Sequence, residues 1–160
     1  PQDPLLRGLA RASGLPVYAP QAGAEDWLAH AGAGEHRILL DAPCSGLGTL
    51  RRNPDIRWNS SQKKLRPLAG MQVRLLEGAA GALKPHGVLV YAVCSPEPEE
   101  TEAVVKAFLE KNRGFRVDRQ PRDLPEAVRP LVGPMGFLQT YPHLQYMDGF
   151  FAVRLKKTID

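Results

Sequence analysis

The 160 residues are 43% hydrophobic and 24% charged, the balance of one soluble globular domain with a core of useful size. No apolar run reaches the ~18 residues of a membrane span, and no secretory signal opens the chain. Two cysteines are too few for a disulfide scaffold, so a reducing cytoplasm is expected, and the net charge of +4 admits a polyanionic partner without requiring one.

The chain opens on Pro1 without a methionine, which reads as a fragment of something longer. Leu5, Leu6, Leu9 and Ala10 recur at helical spacing up to a stop at Gly14, Leu15 to Ala19 suits a short strand, and Glu25 to Ala31 suits a short helix. Arg37 to Ala42 is a branched apolar run too short for a stable helix, so it reads as a strand buried on both faces. A long loop follows from Pro43 to Ser61, punctuated by Gly46, Gly48 and Pro54.

Ser60 or Ser61 is placed to cap a helical turn, and Pro67 fits the first position of a main helix running to about Leu83. Its buried stripe is Leu68, Leu75, Leu76, Ala79, Ala80 and Leu83, with Gln72 as the polar exception. Lys84 to Gly87 turns the chain into a second buried strand, Val88 to Val93. A helix between two buried strands implies a right-handed crossover and a parallel pair.

Pro98 opens the next helix, with Glu99, Glu100 and Glu102 at its positive end and Val104, Val105, Phe108 and Leu109 on its core face. Phe115 to Asp118 reads as a strand. The stretch from Gln120 to Pro142 is rich in proline and poor in periodicity, so it reads as loop with one helical turn near Glu126. Gly149 to Leu155 is a final apolar strand, an antiparallel partner at the end of the sheet.

Both central strands run into a cysteine, Cys44 and Cys94. Ligands of open α/β sheets bind outside the carboxyl ends of parallel strands, so neighbouring strands would bring Asp41, Cys44 and Cys94 into one site. A thiolate is the strong nucleophile at neutral pH, although a cysteine is often only a small buried hydrophobe, and a disulfide between the two is open on geometry alone. A cysteine hydrolase needs a histidine base, and of His30, His36, His86 and His143 only the last is placed to reach the site. No metal-ligand spacing is present. Between Arg51 and Arg74 stand Arg51, Arg52, Arg57, Lys63, Lys64, Arg66 and Arg74 against the single acid Asp55. That run is either a solvated face or, with Trp58 among the charges, a nucleic-acid surface.

Asp41-Ala-Pro-Cys-Ser-Gly46, Gly48, Arg51-Arg52, Pro54-Asp55 and Trp58 closely resemble the signature loop of RNA (cytosine-5)-methyltransferases, especially the bacterial Sun- or RsmB-like group that modifies small-subunit ribosomal RNA. Tyr91-Ala-Val-Cys94-Ser95 followed by Pro98-Glu-Glu-Thr-Glu102 looks like that family's second cysteine motif, and Pro142-His143 with Asp148-Gly-Phe-Phe151 like its closing strand. The resemblance implies a Rossmann-like S-adenosylmethionine-dependent methyltransferase fold, with residues 1–160 as the C-terminal part of the catalytic domain, lacking the first two strands. It implies Cys94 as the nucleophile at carbon 6 of cytosine, Asp41 as the acid stabilising the adduct, and Cys44 as the group that helps proton removal or release. It implies S-adenosylmethionine as donor, with Asp41 and Pro43 on its site, and a flipped or single-stranded base. Arg51, Arg52, Trp58, Lys63 and Lys64 would meet the RNA, and the full-length protein would act as a monomer. Val93 and Thr101 replace a threonine and an asparagine of the pattern, and Thr101 is expected to loosen a hydrogen bond at the helix start. The family's glycine-rich donor loop is absent from this sequence. The competing class is therefore a non-catalytic RNA-binding module that lost its cofactor half.

Overall fold

A computed structural model of the chain describes residues 35–59, 62–119 and 124–158. The helices and strand expected before Glu35, and the cap expected at Ser60 or Ser61, lie outside those residues. Five strands form one sheet: β1 (Glu35–Asp41), β2 (Leu83–Val93), β3 (Phe115–Val117), β4 (Phe137–Thr140) and β5 (Phe150–Lys157). The helices are α1 (Ile56–Asn59), α2 (Gln62–Ala82), α3 (Glu102–Lys111) and α4 (Pro142–Gln145). This is a mixed α/β sheet, the architecture of a partial Rossmann-like fold.

β1 and β2 pair in parallel with α2 between them in the chain, as the crossover argument requires, and Asp41 registers with Ala92. β5 is antiparallel, as expected, but it is not at the end of the sheet. It pairs β2 along one edge, and along the other edge it pairs β3 through residues 155–157 and β4 through residues 150–153. A strand that is the shared partner of three others is the interior of the sheet, and its alternation of buried Phe151, Val153 and Leu155 reflects that position.

The registers sort the side chains onto two faces. Ile38 and Leu40 of β1, Leu89, Tyr91 and Val93 of β2, and Leu155, Val153 and Phe151 of β5 share one face and are all buried. Their core is completed by Leu75, Leu76, Ala79 and Ala80 of α2 and by Val104, Val105 and Phe108 of α3. β1 departs from the expectation of burial on both faces: Leu39, on the opposite face, is 62% exposed. The described helices α2 and α3 join the core of the first face, so the pattern of β1 alternates.

Several boundaries move for identifiable reasons. α2 begins five residues before Pro67, because buried Leu65 anchors its first turns while the proline ring sits on the exposed side. β2 takes in the turn at Lys84 to Gly87, since Glu35 pairs with Leu83 before a bulge resets the register to Arg37 with Val88; His86 adopts φ 61° there. β4 forms inside the proline-rich stretch that reads as loop, because Gly136 at φ 82° turns the chain back onto β5. The helical turn expected near Glu126 falls at Arg129–Leu131. Pro98 opens a separate single turn, Pro98–Glu100, and Thr101 breaks from it before α3. Lys157 Nζ closes the far end of α2, donating to the carbonyls of Leu83 at 2.8 Å and Ala80 at 3.4 Å.

Candidate active site

The parallel β1 and β2 pair carries the chain out of the sheet side by side, and both cysteines follow at the carboxyl ends. Ala42 N–H still donates to Ala92 O at 2.9 Å, then Pro43 leads into a loop whose first residues are held from three directions. Gly48 N–H donates to Cys94 O at 3.0 Å, and Gly149 N–H, at the entry to β5, donates to Gly48 O at 2.8 Å. A Cβ on Gly48 would lie 1.9 Å from Gly149 O and 2.9 Å from Cys94 O, so only glycine lets the three backbones meet. Gly46 turns the loop at φ 73°, against Ile56 of α1.

This framework sets Cys44 Sγ and Cys94 Sγ 3.2 Å apart, as two free half-buried thiols in hydrogen-bond contact. The disulfide left open by the sequence is not formed. The Cys44 thiol stabilises a thiolate at Cys94, holding the Cys94 pKa down to about 7 against the opposing effects of burial, Asp41 and Glu100. Cys44 is pushed well above the ordinary thiol range by that same hydrogen bond, by burial and by the charge on Cys94. The pair is thus a thiolate with a thiol donor beside it. At neutral pH more of Cys94 is ionised than of a free cysteine, whose pKa is about 8.5.

Asp41 is exposed at the end of β1, on the face opposite the helices, and partial shielding of its carboxyl raises its pKa. Its carboxylate has no hydrogen-bond or ion-pair partner among the described residues. Pro43 is exposed beside it, with its carbonyl accepting from Gln72 Nε2 at 2.9 Å. Among the described residues no histidine stands as a base on either thiol; His143 on α4 packs its ring 5.7 Å from that of Tyr141. No cluster of metal-ligating residues is present among them either.

The polar residues behind the cysteines were not legible as a site. Glu100 is fully buried: its carboxylate accepts from Ser45 N–H at 2.8 Å, Ser45 Oγ at 2.5 Å and Gln72 Nε2 at 3.1 Å. Tyr91 OH donates to the Glu100 carbonyl at 2.6 Å, and its own pKa is raised by burial and by Glu100. Ser95 Oγ lies 3.3 Å from Ser45 Oγ and accepts from Glu97 N–H at 3.2 Å. Glu100 therefore faces inward and is no helix-end acid. Gln72, the polar exception in an apolar stripe, was the available signal. Thr101 Oγ1 donates to Glu97 O at 2.9 Å, so the hydroxyl supplies a local bond at the helix start where loosening was expected.

Arg51 and Arg52 both pair with Asp148, Arg51 at 3.8 Å and Arg52 in close contact, which ties the loop to the start of β5. Trp58 stands 81% exposed on α1 with the Arg57 guanidinium 5.7 Å from its ring centre. Lys63 and Lys64 are exposed on the first turn of α2. These three continue the surface beyond the cysteine loop and take no part in the thiol pair.

Residues 21–156 match the family model described as 16S rRNA methyltransferase RsmB/F, which covers the cysteine loop, the second cysteine and all five strands almost to the end of β5. The chain belongs to this family. A probable ribosomal RNA small subunit methyltransferase B of Synechocystis sp. is 40% identical over 121 residues, which are 76% of this chain and 27% of that protein. A ribosomal RNA small subunit methyltransferase F of Aeromonas salmonicida is 41% identical over 121 residues, 75% of this chain and 25% of that protein. The chain thus spans about a quarter of the length of these curated RsmB/F relatives. Among solved structures, NSun6 from Pyrococcus horikoshii with SFG superposes with a TM-score of 0.72 at 30% identity, over 96% of this chain and 38% of that one. Membership in the RsmB/F family and a methyltransferase fold are therefore the identity of this chain.

Proposed function

We propose that this chain is the C-terminal part of the catalytic domain of an S-adenosylmethionine-dependent RNA methyltransferase, acting at carbon 5 of cytosine in small-subunit ribosomal RNA through a covalent cysteine adduct. The observation that carries the reading is the thiol pair at 3.2 Å at the carboxyl ends of adjacent parallel strands. The family match and the names of the relatives support the donor and the RNA class.

Carbon 5 of cytosine is a poor nucleophile until something adds to carbon 6. The Cys94 thiolate forms that sulfur–carbon bond and moves the ring's double-bond electrons towards carbon 5. Asp41, with its raised pKa and a carboxyl unpaired among the described residues, meets the pyrimidine edge and stabilises the charge placed on the ring. Asp41 and Pro43 would hold S-adenosylmethionine, which would supply an electrophilic methyl group to carbon 5. Once the Cys94 sulfur is bonded to carbon, neither its hydrogen bond nor its charge holds the Cys44 proton any longer. Cys44 gives that proton to solvent, its thiolate takes the one leaving carbon 5, and breaking the sulfur–carbon bond restores the ring and the Cys94 thiolate. Trp58 offers a stacking surface and Lys63 and Lys64 a positive one for the strand, while Arg51 and Arg52 are paired with Asp148.

The test is transfer of labelled methyl from S-adenosylmethionine to unmodified small-subunit ribosomal RNA by this chain and its variants. Incorporation as 5-methylcytosine is expected and disappears in Cys94→Ala. Cys44→Ala accumulates a denaturant-resistant protein–RNA adduct that requires Cys94. Incorporation that survives Cys94→Ala removes it as the nucleophile, and no incorporation by this chain makes it at most a binding fragment and moves the same test to the longer protein.

A further inference from the structure

The residue that follows each cysteine is a serine, and the two serines meet. Ser45 Oγ lies 3.3 Å from Ser95 Oγ, and both atoms of Ser45 that can donate, N and Oγ, point at the carboxylate of Glu100. Gln72 adds the third donor and gives its remaining amide hydrogen to Pro43 O, so one side-chain amide ties Glu100 to the residue before Cys44. Because both partners of that nitrogen are acceptors, the orientation of the amide is forced, and its Oε1 is left buried without a partner. Tyr91 holds Glu100 from the β2 side, through the backbone carbonyl. Three donors thus converge on a fully buried carboxylate.

We infer that Glu100 is a positioning residue: by gripping Ser45 and, through Gln72, Pro43, it fixes the Cys44 backbone from both sides and so sets the sulfur of Cys44 at hydrogen-bonding distance from that of Cys94. The bearing of this role on the reaction rests on Cys94 being the nucleophile, but its test reads thiol chemistry and not methyl transfer. The charged and titratable groups acting on Cys94 are Cys44, Asp41 and Glu100. The Glu100 charge disfavours the Cys94 thiolate, so its removal alone would lower the Cys94 pKa. Loss of the Cys44 hydrogen bond would raise it. The two roles predict opposite signs, which makes the experiment decisive.

The measurement is the rate of iodoacetamide alkylation at Cys94 against pH. It can be followed by mass spectrometry because Cys44 and Cys94 fall in different tryptic peptides. The parent chain is expected to show a half-maximal rate near pH 7. In Glu100→Gln the profile moves to higher pH and the rate at pH 7 falls about three- to tenfold, as the thiolate fraction returns towards that of a free cysteine. Ser45→Ala, which leaves Glu100 in place and removes one grip, moves the profile in the same direction by less. A profile at or below the parent's in Ser45→Ala, or in Glu100→Gln with an unchanged circular dichroism spectrum, overturns the inference. If Cys94→Ala fails to abolish methyl transfer while these shifts are seen, the functional reading falls and the positioning role stands.

Discussion

Gly48 shows how narrowly the site is set at the scale of one residue. The atoms that a Cβ would meet there are backbone carbonyls of Gly149 and Cys94, which have no rotamer to change. Gly48→Ala is therefore expected to cost about 3 kcal/mol, to be read as a lowered denaturation midpoint, and to slow Cys94 alkylation at pH 7 with it. Gly81, exposed near the end of α2 with nothing within 4 Å of its added Cβ, is the contrasting case. Gly81→Ala should stabilise by about 0.5–1 kcal/mol and leave the thiol untouched. At this scale the meeting of Cys44 and Cys94 was legible, because two neighbouring parallel strands that each lead into a cysteine bring both to one end of the sheet. Glu100 was not: three acids after a proline read as a helix N-terminus, and only the fold shows that one of them turns inward to meet Ser45 and Gln72.

At the scale of elements, the strongest periodic signals survived and the shared partners of strands did not. Leu75, Leu76, Ala79 and Ala80 of α2 and Val104, Val105 and Phe108 of α3 form the core faces expected of them, since a 3.6-residue stripe is a property of the segment itself, while Leu68 stays outside the core and Leu83 falls in β2. The place of β5 depends on three other strands, and β4 has four residues among prolines, so neither is a local property. Pro67 marks the opposite error, a helix-start signal sitting five residues inside a helix. It lacks the N–H that would meet the Lys63 carbonyl four residues back, and its ring is exposed, so no packing depends on it. Pro67→Ala should raise stability by about 1–3 kcal/mol, measured by urea denaturation with an unchanged m-value. A loss of stability would mean that the proline sets the angle at which α2 leaves the preceding turn.

For the whole molecule, the charge excess takes on meaning only through its placement. Seven basic residues between Arg51 and Arg74 face one acid in sequence, yet the fold commits Arg51 and Arg52 to Asp148, from beyond that stretch. Trp58 and Lys63 should therefore divide the work of RNA binding. Lys63→Ala is expected to reduce the slope of log affinity against log salt by about one, measured on single-stranded ribosomal RNA fragments. Trp58→Ala should weaken binding by about 1–3 kcal/mol with the slope unchanged, as stacking predicts. Equal slopes for all three proteins would place Lys63 off the RNA path.

The clasp of Gly149 on Gly48 also has a direction in time. Ribosomes make Cys44 and Cys94 well before Asp148 and Gly149, so the emerging polypeptide carries both thiols before it carries the residues that clamp their loop. Until β5 docks, the bond from Gly149 N–H to Gly48 O cannot form, so the loop that carries Cys44 is completed only as the last strand of the sheet takes its place.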